Sequence, residues 1–327
     1  MHLLTADQIE SFTRFMQNHD TFLIAGHKEP DGDCVSCCIS MSKIAAYYKK
    51  AAVLLNAGPF KRTEISAYAP LFRNSVPFMS QPERDVCGLI IVDCSELSRL
   101  GEIDGDLAGL DTFIVDHHRT AQVSGTGTII DATAPAAACI VQQLYEATIG
   151  SPSAEDAHTL FFGLGTDTGF FRFLQQDSAE AFKAAARLVE AGANPREIYN
   201  EITAGKTWNT RKLLALMLTR AERHCSGKLV VTWETIEDTR TYGQNGRDSD
   251  ALYSALLATS GVEAVLFLRQ ETEHNCTAGF RSRDKCDVSA IAAKFGGGGH
   301  KNASGASIEG RIETLLPAII KEFAKVL

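Results

Sequence analysis

The sequence predicts an α/β fold with a parallel sheet in the amino-terminal part of the chain. Three short apolar runs indicate this, at residues 21–25, 88–92 and 112–115. Polar residues follow closely after each run, which is typical of buried parallel strands with catalytic or ligand-binding residues at their carboxyl ends. Because open α/β sheets bind ligands at that edge, we expect the three strand ends to converge on one site.

The length of the chain predicts two domains, because 327 residues exceed the usual size of a single core. We expect a parallel-sheet domain at residues 1–195, a linker helix at 196–225 and a smaller α/β domain at 226–327. Hydrophobic residues make up 45% and charged residues 22%, the balance of an ordinary soluble globular protein.

Elements of the first domain follow from local signals. Thr5 is expected to cap a helix whose apolar face includes Phe12 and Phe15. Residues 57–85 hold four of the nine prolines and predict an irregular connection with a short helix. The predicted elements between and after the three strands are a helix through about residue 49, a strand at 52–55, a short helical segment at 97–100, and helices at 135–148, 154–164 and 178–190.

The second half of the chain starts with a helical pattern and then becomes rich in strands. From residue 196 to about 224 few glycines occur, and apolar residues recur on one helical face, which predicts the linker helix. Strands are expected at 229–233, 262–268 and 276–280, followed by a glycine run and a terminal helix.

The start of the chain and its cysteines indicate a cytoplasmic protein. The first eleven residues are polar, and no apolar run approaches the roughly 20 residues of a membrane helix. The nine cysteines are scattered and odd in number. We therefore expect reduced thiols and no association with a membrane.

The net charge of −8 argues against a partner with a long phosphate backbone. Proteins that bind long nucleic acids usually carry a basic surface, since each phosphate that they neutralise adds affinity. Part of the acidity is expected in site carboxylates that bound metal would neutralise. If the substrate contains phosphate, it should therefore be small.

Seven carboxylate and imidazole residues lie at turns of the first domain. A single aspartate at a strand end is more often a helix cap than a ligand, but capping does not explain seven such residues. Nitrogen and oxygen donors without thiolate suit Mn²⁺ or Mg²⁺, and clustered aspartates repel unless cations lie between them. A pair of cations about 3.5–4 Å apart is the common solution in phosphoryl transfer. The residues are His27, Asp31, Asp33, Asp93, His117, His118 and Asp167.

Four motifs that contain these residues resemble those of the DHH phosphoesterases. They are His27-x-x-x-Asp31-x-Asp33, Val92-Asp93, Asp116-His117-His118 and the Gly-Thr-Asp-Thr-Gly sequence at 165–169. In the second domain, Phe280-Arg281-Ser282 and the glycine run at 296–299 with His300 resemble the DHH-associated substrate-binding domain. A flexible hinge is the alternative for the glycine run. The resemblance is strongest to the NrnA-type oligoribonucleases and nucleotide 3′-phosphatases of bacteria.

The resemblance implies a role for each motif residue. His27, Asp31 and Asp167 would bind one metal ion, Asp33 and His117 the other, and Asp93 both. Asp116 would orient a neighbouring imidazole, and His118 would face the substrate phosphate, so we count these two as catalytic. The substrate would be bound by Arg281, Ser282, Gly298, Gly299 and His300.

The implied activity is hydrolysis of short oligoribonucleotides, including linear dinucleotides such as pApA, to mononucleotides. Cleavage of 3′-phosphoadenosine 5′-phosphate (pAp) to AMP is a related activity. The expected cofactors are two Mn²⁺ ions, with Mg²⁺ as the alternative. A cyclic dinucleotide phosphodiesterase and a nucleotide sensor without turnover remain rival interpretations, and a homodimer remains open.

The pair Cys34-x-x-Cys37 has a redox or zinc-binding alternative. No second such pair occurs in the sequence to complete a zinc set. Because it follows Asp33 at the start of a helix that should face the sheet, we expect both thiols to be buried packing residues.

Overall fold

The computed structural model of the protein describes residues 1–118, 125–174, 176–283 and 285–327. The chain divides into two compact units, Met1–Gly205 and Lys206–Leu327. The first contains a parallel sheet and the second a mixed sheet, so the predicted α/β class is confirmed.

The sheet of the first unit has five strands in the order β2-β1-β3-β4-β5, and all of its pairs are parallel. The strands are β1 (Thr21–Ala25), β2 (Ala51–Leu55), β3 (Cys87–Val92), β4 (Asp111–Asp116) and β5 (Gly127–Ile130). The first four strands were predicted, whereas β5 was not. Its four residues include glycine and threonine and form no continuous apolar run.

Helices precede and follow these strands along the chain. They are α1 (Ala6–Asn18), α2 (Gly32–Tyr47), α3 (Gln81–Asp85), α4 (Ala137–Thr148), α5 (Ala154–Asp167), α6 (Ala179–Glu190) and α7 (Pro195–Thr203), with 3₁₀ turns at Thr63–Leu71 and Leu97–Leu100. As predicted, Thr5 caps α1, and its hydroxyl accepts a hydrogen bond from the amide of Gln8 at 3.3 Å.

Alternate residues of β1 enter two hydrophobic clusters, one on each face of the sheet. Phe22 and Ile24 pack into the larger cluster, to which α1, α2, α4 and α5 contribute. Leu23 and Ala25 pack into the smaller one. Burial on both faces explains why β1 is apolar at successive positions rather than alternating with polar residues.

Helix α5 is longer than predicted, and this changes the setting of Asp167. The glycines at 163 and 165 suggested a helix end, but α5 continues to Asp167. A Cβ atom on Gly163 would lie 2.6 Å from the hydroxyl oxygen of Ser36 in α2. Glycine therefore permits close packing of two helices at this point, and Asp167 ends a helix instead of lying on a turn after it.

The second unit has six strands in the order β10-β11-β9-β8-β7-β6, in which only the β7–β8 pair is parallel. Its elements are α8 (Trp208–Arg220), β6 (Glu222–His224), β7 (Leu229–Glu234), α9 (Ile236–Tyr242), α10 (Ser249–Leu257), β8 (Ala264–Thr272), β9 (Asn275–Ser282), α11 (Val288–Ala293), β10 (Gly298–His300), β11 (Ala303–Glu309) and α12 (Ile312–Phe323). A 3₁₀ turn lies at Gly243–Asn245.

The region expected to form one linker helix contains two helices. The chain leaves helical conformation after Thr203, and Gly205 has a φ of +77°, which favours glycine. Thr207 then caps α8, accepting the amide of Thr210 at 3.1 Å. Because Leu213 of α8 lies in a cluster made of second-unit residues, α8 packs as part of that unit.

Across the described residues, no helix combines the length and the apolar character that crossing a membrane requires.

An ion pair between a buried glutamate and a partly exposed arginine in the second unit gives a stability prediction. Glu234 is fully buried, and both of its carboxylate oxygens accept hydrogen bonds from Arg247 at 2.9 Å. Arg247→Ala would leave the carboxylate buried without its cation, so we expect a loss of about 3–5 kcal/mol in the free energy of unfolding. Both tryptophans, Trp208 and Trp233, lie in this unit, so tryptophan fluorescence during urea denaturation reports the loss.

Arg240→Ala is the matched control, because Arg240 forms an ion pair with Glu237 in which both side chains are exposed. We expect this variant to lose less than about 1 kcal/mol. Equal losses in the two variants would contradict a structural role for the Glu234–Arg247 pair.

Candidate active site

Several of the predicted site residues lie at the carboxyl ends of three neighbouring strands of the parallel sheet. His27 follows β1, Asp93 follows β3, and Asp116 ends β4. The amide of Asp93 donates to the carbonyl of Val115 at 2.9 Å and so joins the ends of β3 and β4. The strand after β1 lies on one side of it, and β3 and the later strands lie on the other side, so the strand order reverses between β1 and β3. Open α/β sheets bind ligands at such a point. The predicted convergence is therefore observed.

Asp93 lies at the centre of the cluster. Its side chain is 3% exposed, with one carboxylate oxygen 3.3 Å from Nε2 of His27 and the other 3.3 Å from Nε2 of His117. Its φ is +56°, a left-handed conformation that is uncommon outside glycine. Such strained backbone is often found at functional sites.

His27 and Asp31 are held by their own local contacts. Nδ1 of His27 lies 2.9 Å from the carbonyl oxygen of Lys28, which leaves Nε2 facing Asp93 and, at 3.8 Å, Asp31. One oxygen of Asp31 accepts the amides of Asp33 and Cys34, both at 3.1 Å. Asp31 therefore caps α2 and belongs to the cluster at the same time. Burial disfavours a charged His27, but hydrogen bonds with Asp31 and Asp93 outweigh it and raise the pKa of His27 to about 12.

Asp33 is fully buried, and both of its oxygens are anchored at the start of α4. They accept the amides of Ala137 at 2.6 Å and Ala138 at 2.8 Å. The N-cap residue Ala136 has no polar side chain, so Asp33 supplies the acceptor that this helix end requires. Burial, with the negative charges of Asp93 and Asp167, raises the pKa of Asp33 well above its ordinary value.

His117 and Asp167 complete a group with Asp33. Nδ1 of His117 lies 3.1 Å from the carbonyl oxygen of Ala134, and its Nε2 lies 3.5 Å from a carboxylate oxygen of Asp167. Burial raises the pKa of Asp167 to about 6, with the charge of Asp93 adding to the shift and that of His117 opposing it. Among the described residues, the close groups of potential ligand atoms place Asp167 with Asp33 and His117, whereas the resemblance implied a grouping with His27 and Asp31.

Asp116 is bonded to both histidines that follow it. One carboxylate oxygen accepts the amides of His117 and His118 at 2.8 and 3.2 Å, and lies 2.7 Å from Nδ1 of His118. The other oxygen is buried and has no partner among the described residues. The His118 side chain is one-third exposed. With Nδ1 engaged by Asp116, Nε2 is its remaining ring nitrogen for a ligand.

The donor set suits divalent cations. Buried carboxylates with raised pKa values lie beside imidazole nitrogens, and a cation would relieve their mutual repulsion. Among the residues that the structure describes, three groups have potential ligand atoms within 4.8 Å of one another. The groups are His27, Cys34 and Asp93; Asp93, His117 and His118; and Asp33, His117 and Asp167. Cys34 is the member that sequence reasoning missed, because its position indicated packing.

A cavity of about 380 Å³ lies within the second unit. Its lining includes Arg281 and Gly298 from the predicted substrate set, together with Tyr253 and Arg269, which were not predicted. The guanidinium carbon of Arg281 lies 4.6 Å from the ring centroid of Tyr253, and its Nη1 donates to the Phe280 carbonyl at 3.0 Å. The guanidinium of Arg281 in a concave site favours an anionic ligand, whereas the guanidinium of Arg269 already forms an ion pair with Glu271.

The remaining predicted substrate residues, Ser282, Gly299 and His300, are not among those that line this cavity. Ser282 is buried, and its hydroxyl donates to the Cys286 carbonyl at 2.6 Å, a structural contact. Gly299 and His300 belong to the short strand β10 and do not line the cavity. Gly279 within a strand is the sequence signal for a close approach at this point, but it does not say which residue approaches. In the structure, a Cβ atom at Gly279 would lie 2.0 Å from the hydroxyl oxygen of Tyr253.

Comparison with known proteins agrees with this geometry. Residues 21–162 match the model of the DHH family, N-terminal domain, and residues 228–327 match the DHHA1 domain. The chain is 27% identical over 311 residues to the bifunctional oligoribonuclease and PAP phosphatase NrnA of Thermus thermophilus, covering 92% of this chain and 90% of that protein.

Two solved structures share the fold. An exopolyphosphatase-related protein from Bacteroides fragilis superposes with a TM-score of 0.83 at 19% identity, over 99% of this chain and 98% of that one. RecJ from Thermus thermophilus in complex with Mn²⁺ has a TM-score of 0.57 at 15% identity, over 100% of this chain and 56% of that one.

The DHH match lies in the first unit, which contains the parallel sheet, and the DHHA1 match lies in the second unit, which contains the mixed sheet. The chain therefore carries a DHH-family N-terminal domain in its first unit and a DHHA1 domain in its second unit.

Proposed function

We propose that the protein is a metal-dependent phosphodiesterase that hydrolyses short oligoribonucleotides, including linear dinucleotides such as pApA, and that also converts pAp to AMP. One observation carries the proposal: the ends of β1, β3 and β4 gather buried carboxylates and imidazoles around Asp93. The similarity to NrnA, named as an oligoribonuclease and PAP phosphatase, supports the choice of substrate.

The residues divide into two sets of cation ligands that share Asp93. His27 and Asp31 would hold one ion, and Asp33, His117 and Asp167 the other, as their spacing favours. Mn²⁺ suits these nitrogen and oxygen donors, with Mg²⁺ as the alternative. When bound, a pair of such cations lowers the pKa of water and neutralises the charge of a phosphate group.

His118 is proposed to contact the phosphate. Asp116 holds Nδ1 of His118, so the imidazole is fixed in orientation and can present Nε2 to a phosphate oxygen or a leaving oxygen. Asp116 acts on the reaction only through this histidine, as a positioning residue.

The cavity of the second unit is proposed to bind one nucleotide of the substrate. Arg281 supplies charge-assisted hydrogen bonds to phosphate, and its stacking on Tyr253 restricts the directions in which it can donate. A cavity of about 380 Å³ is near the lower end of the range for small-molecule sites, which fits a short ligand better than a long strand. We place the reaction in the cytoplasm, where the thiols of the nine cysteines would stay reduced.

The experiment that tests the function compares rates on pApA, RNA of three to five nucleotides, RNA of 24 nucleotides, pAp and cyclic di-AMP, with Mn²⁺ present. We expect pApA and the short RNAs to be cleaved fastest and pAp to be converted to AMP. Preferred cleavage of cyclic di-AMP would establish the rival phosphodiesterase, and binding of pApA without hydrolysis would establish the sensor.

Arg281→Ala tests the role of the second unit. A charge-assisted hydrogen bond is worth about 1.5–3 kcal/mol, so kcat/KM for pApA should fall about ten- to a hundredfold. Hydrolysis of bis(p-nitrophenyl) phosphate, which requires the metal centre alone, should change much less. Arg311→Ala, an exposed arginine outside the cavity lining, serves as the control. Proportional loss of both activities in Arg281→Ala would contradict a role in recognition.

A further inference from the structure

Cys34 lies closer to the candidate metal centre than its sequence position suggested. It is completely buried, and its sulfur shares a group with a nitrogen of His27 and a carboxylate oxygen of Asp93. These three potential ligand atoms lie within 4.8 Å of one another. The donor set at this position is therefore mixed, with sulfur, nitrogen and oxygen, instead of the nitrogen and oxygen set expected from the sequence.

Local structure accounts for the position of the sulfur. The amide of Cys34 donates to Asp31 at 3.1 Å, which fixes the residue in the first turn of α2. Gly26 leaves the space that the thiol occupies, because a Cβ atom at Gly26 would lie 2.2 Å from the sulfur. His27 uses Nδ1 for the carbonyl of Lys28, so Nε2 is available on the side of Asp93.

The other two candidate groups contain carboxylate and imidazole donors and no sulfur. Within the three groups, sulfur therefore occurs only on the His27 side of Asp93. On the other side, the Cys37 thiol donates a hydrogen bond to Asp33 at 3.5 Å and belongs to none of the groups. Thiolate selects borderline and soft ions such as Zn²⁺ and Co²⁺, whereas carboxylate-rich sets suit Mn²⁺ and Mg²⁺. Two chemically different positions therefore share Asp93.

We propose that Cys34 is a thiolate ligand that makes the His27–Asp93 position bind thiophilic divalent cations such as Zn²⁺ or Co²⁺ more tightly than Mn²⁺, which still occupies the position when it is the cation supplied. The proposal rests on the metal-dependent function inferred above and deepens it, because it assigns different metal preferences to the two positions. When the sulfur–metal bond forms, the thiol proton is released to solvent and the metal ion keeps its charge of +2, so no oxidant or reductant is required.

Cobalt gives a readout that does not depend on activity. Thiolate bound to Co²⁺ produces a charge-transfer absorption band in the near ultraviolet, which carboxylate and imidazole ligands do not produce. The full-length protein is freed of metal, titrated with Co²⁺ and compared with Cys34→Ser and Cys34→Ala. Cys87→Ser is the control, since Cys87 is also buried but lies at the opposite end of β3 from Asp93.

The wild type and Cys87→Ser should show the band, and both Cys34 variants should lack it while retaining native circular dichroism. The affinity of Cys34→Ser for Zn²⁺ should fall roughly tenfold or more, with the affinity for Mn²⁺ nearly unchanged. Absence of the band in the wild type, or its persistence in the Cys34 variants, would overturn the proposal. Failure of the wild type to hydrolyse pApA with Mn²⁺ would instead refute the proposed function and leave the band unaffected.

Discussion

Asp93→Asn should abolish nearly all hydrolysis of both pApA and bis(p-nitrophenyl) phosphate while leaving the fold intact. The asparagine keeps the shape of the side chain but removes the negative charge between Nε2 of His27 and Nε2 of His117, each 3.3 Å from a carboxylate oxygen. A ligand shared by two cations contributes to both, so we expect loss of at least one metal ion and a rate lower by roughly a hundredfold or more. Calorimetric titration with Mn²⁺ measures the stoichiometry.

Asp85→Asn is the control for this variant, because Asp85 is exposed at the end of α3 and outside the cluster. It should bind Mn²⁺ and turn over like the wild type. If Asp93→Asn also bound two ions and retained its rate, Asp93 could not be the shared ligand.

Replacing each of the two neighbouring histidines should have different consequences. His117 lies between Asp93 and Asp167, so His117→Ala should lower metal occupancy. His118 is tied through Nδ1 to Asp116, so His118→Ala should keep its metal ions and lose turnover about 100- to 10,000-fold, the range for a general acid–base group. Mn²⁺ titration alongside single-turnover rates on pApA separates the two effects. Equal loss of metal in both variants would contradict the division of roles.

Much of the first unit could be predicted because its signals are local. Strands buried on both faces must be apolar, so β1, β3 and β4 were evident as runs, and the polar residues after them marked the edge of the sheet. The convergence of His27, Asp93 and His117 then followed from the parallel topology alone. In contrast, β5 is short and has no comparable run.

The remaining features depend on contacts between distant parts of the chain. Asp33 anchors the start of α4 over more than a hundred residues of sequence, which no local pattern indicates. From its sequence, Gly163 was expected to mark the end of a helix. In the structure it packs closely against α2 and lies inside α5, which continues to Asp167. The contact of Tyr253 with Arg281 also joins separate elements. Such tertiary contacts override local propensity.

The most direct test of the account is X-ray anomalous scattering at the manganese absorption edge, measured on crystals of the protein grown with Mn²⁺. We predict two peaks that flank the Asp93 carboxylate. One should be bounded by His27 and Asp31, and the other by Asp33, His117 and Asp167. A single peak remote from Asp93, or none at a Mn²⁺ concentration that supports hydrolysis, would contradict the proposed metal centre.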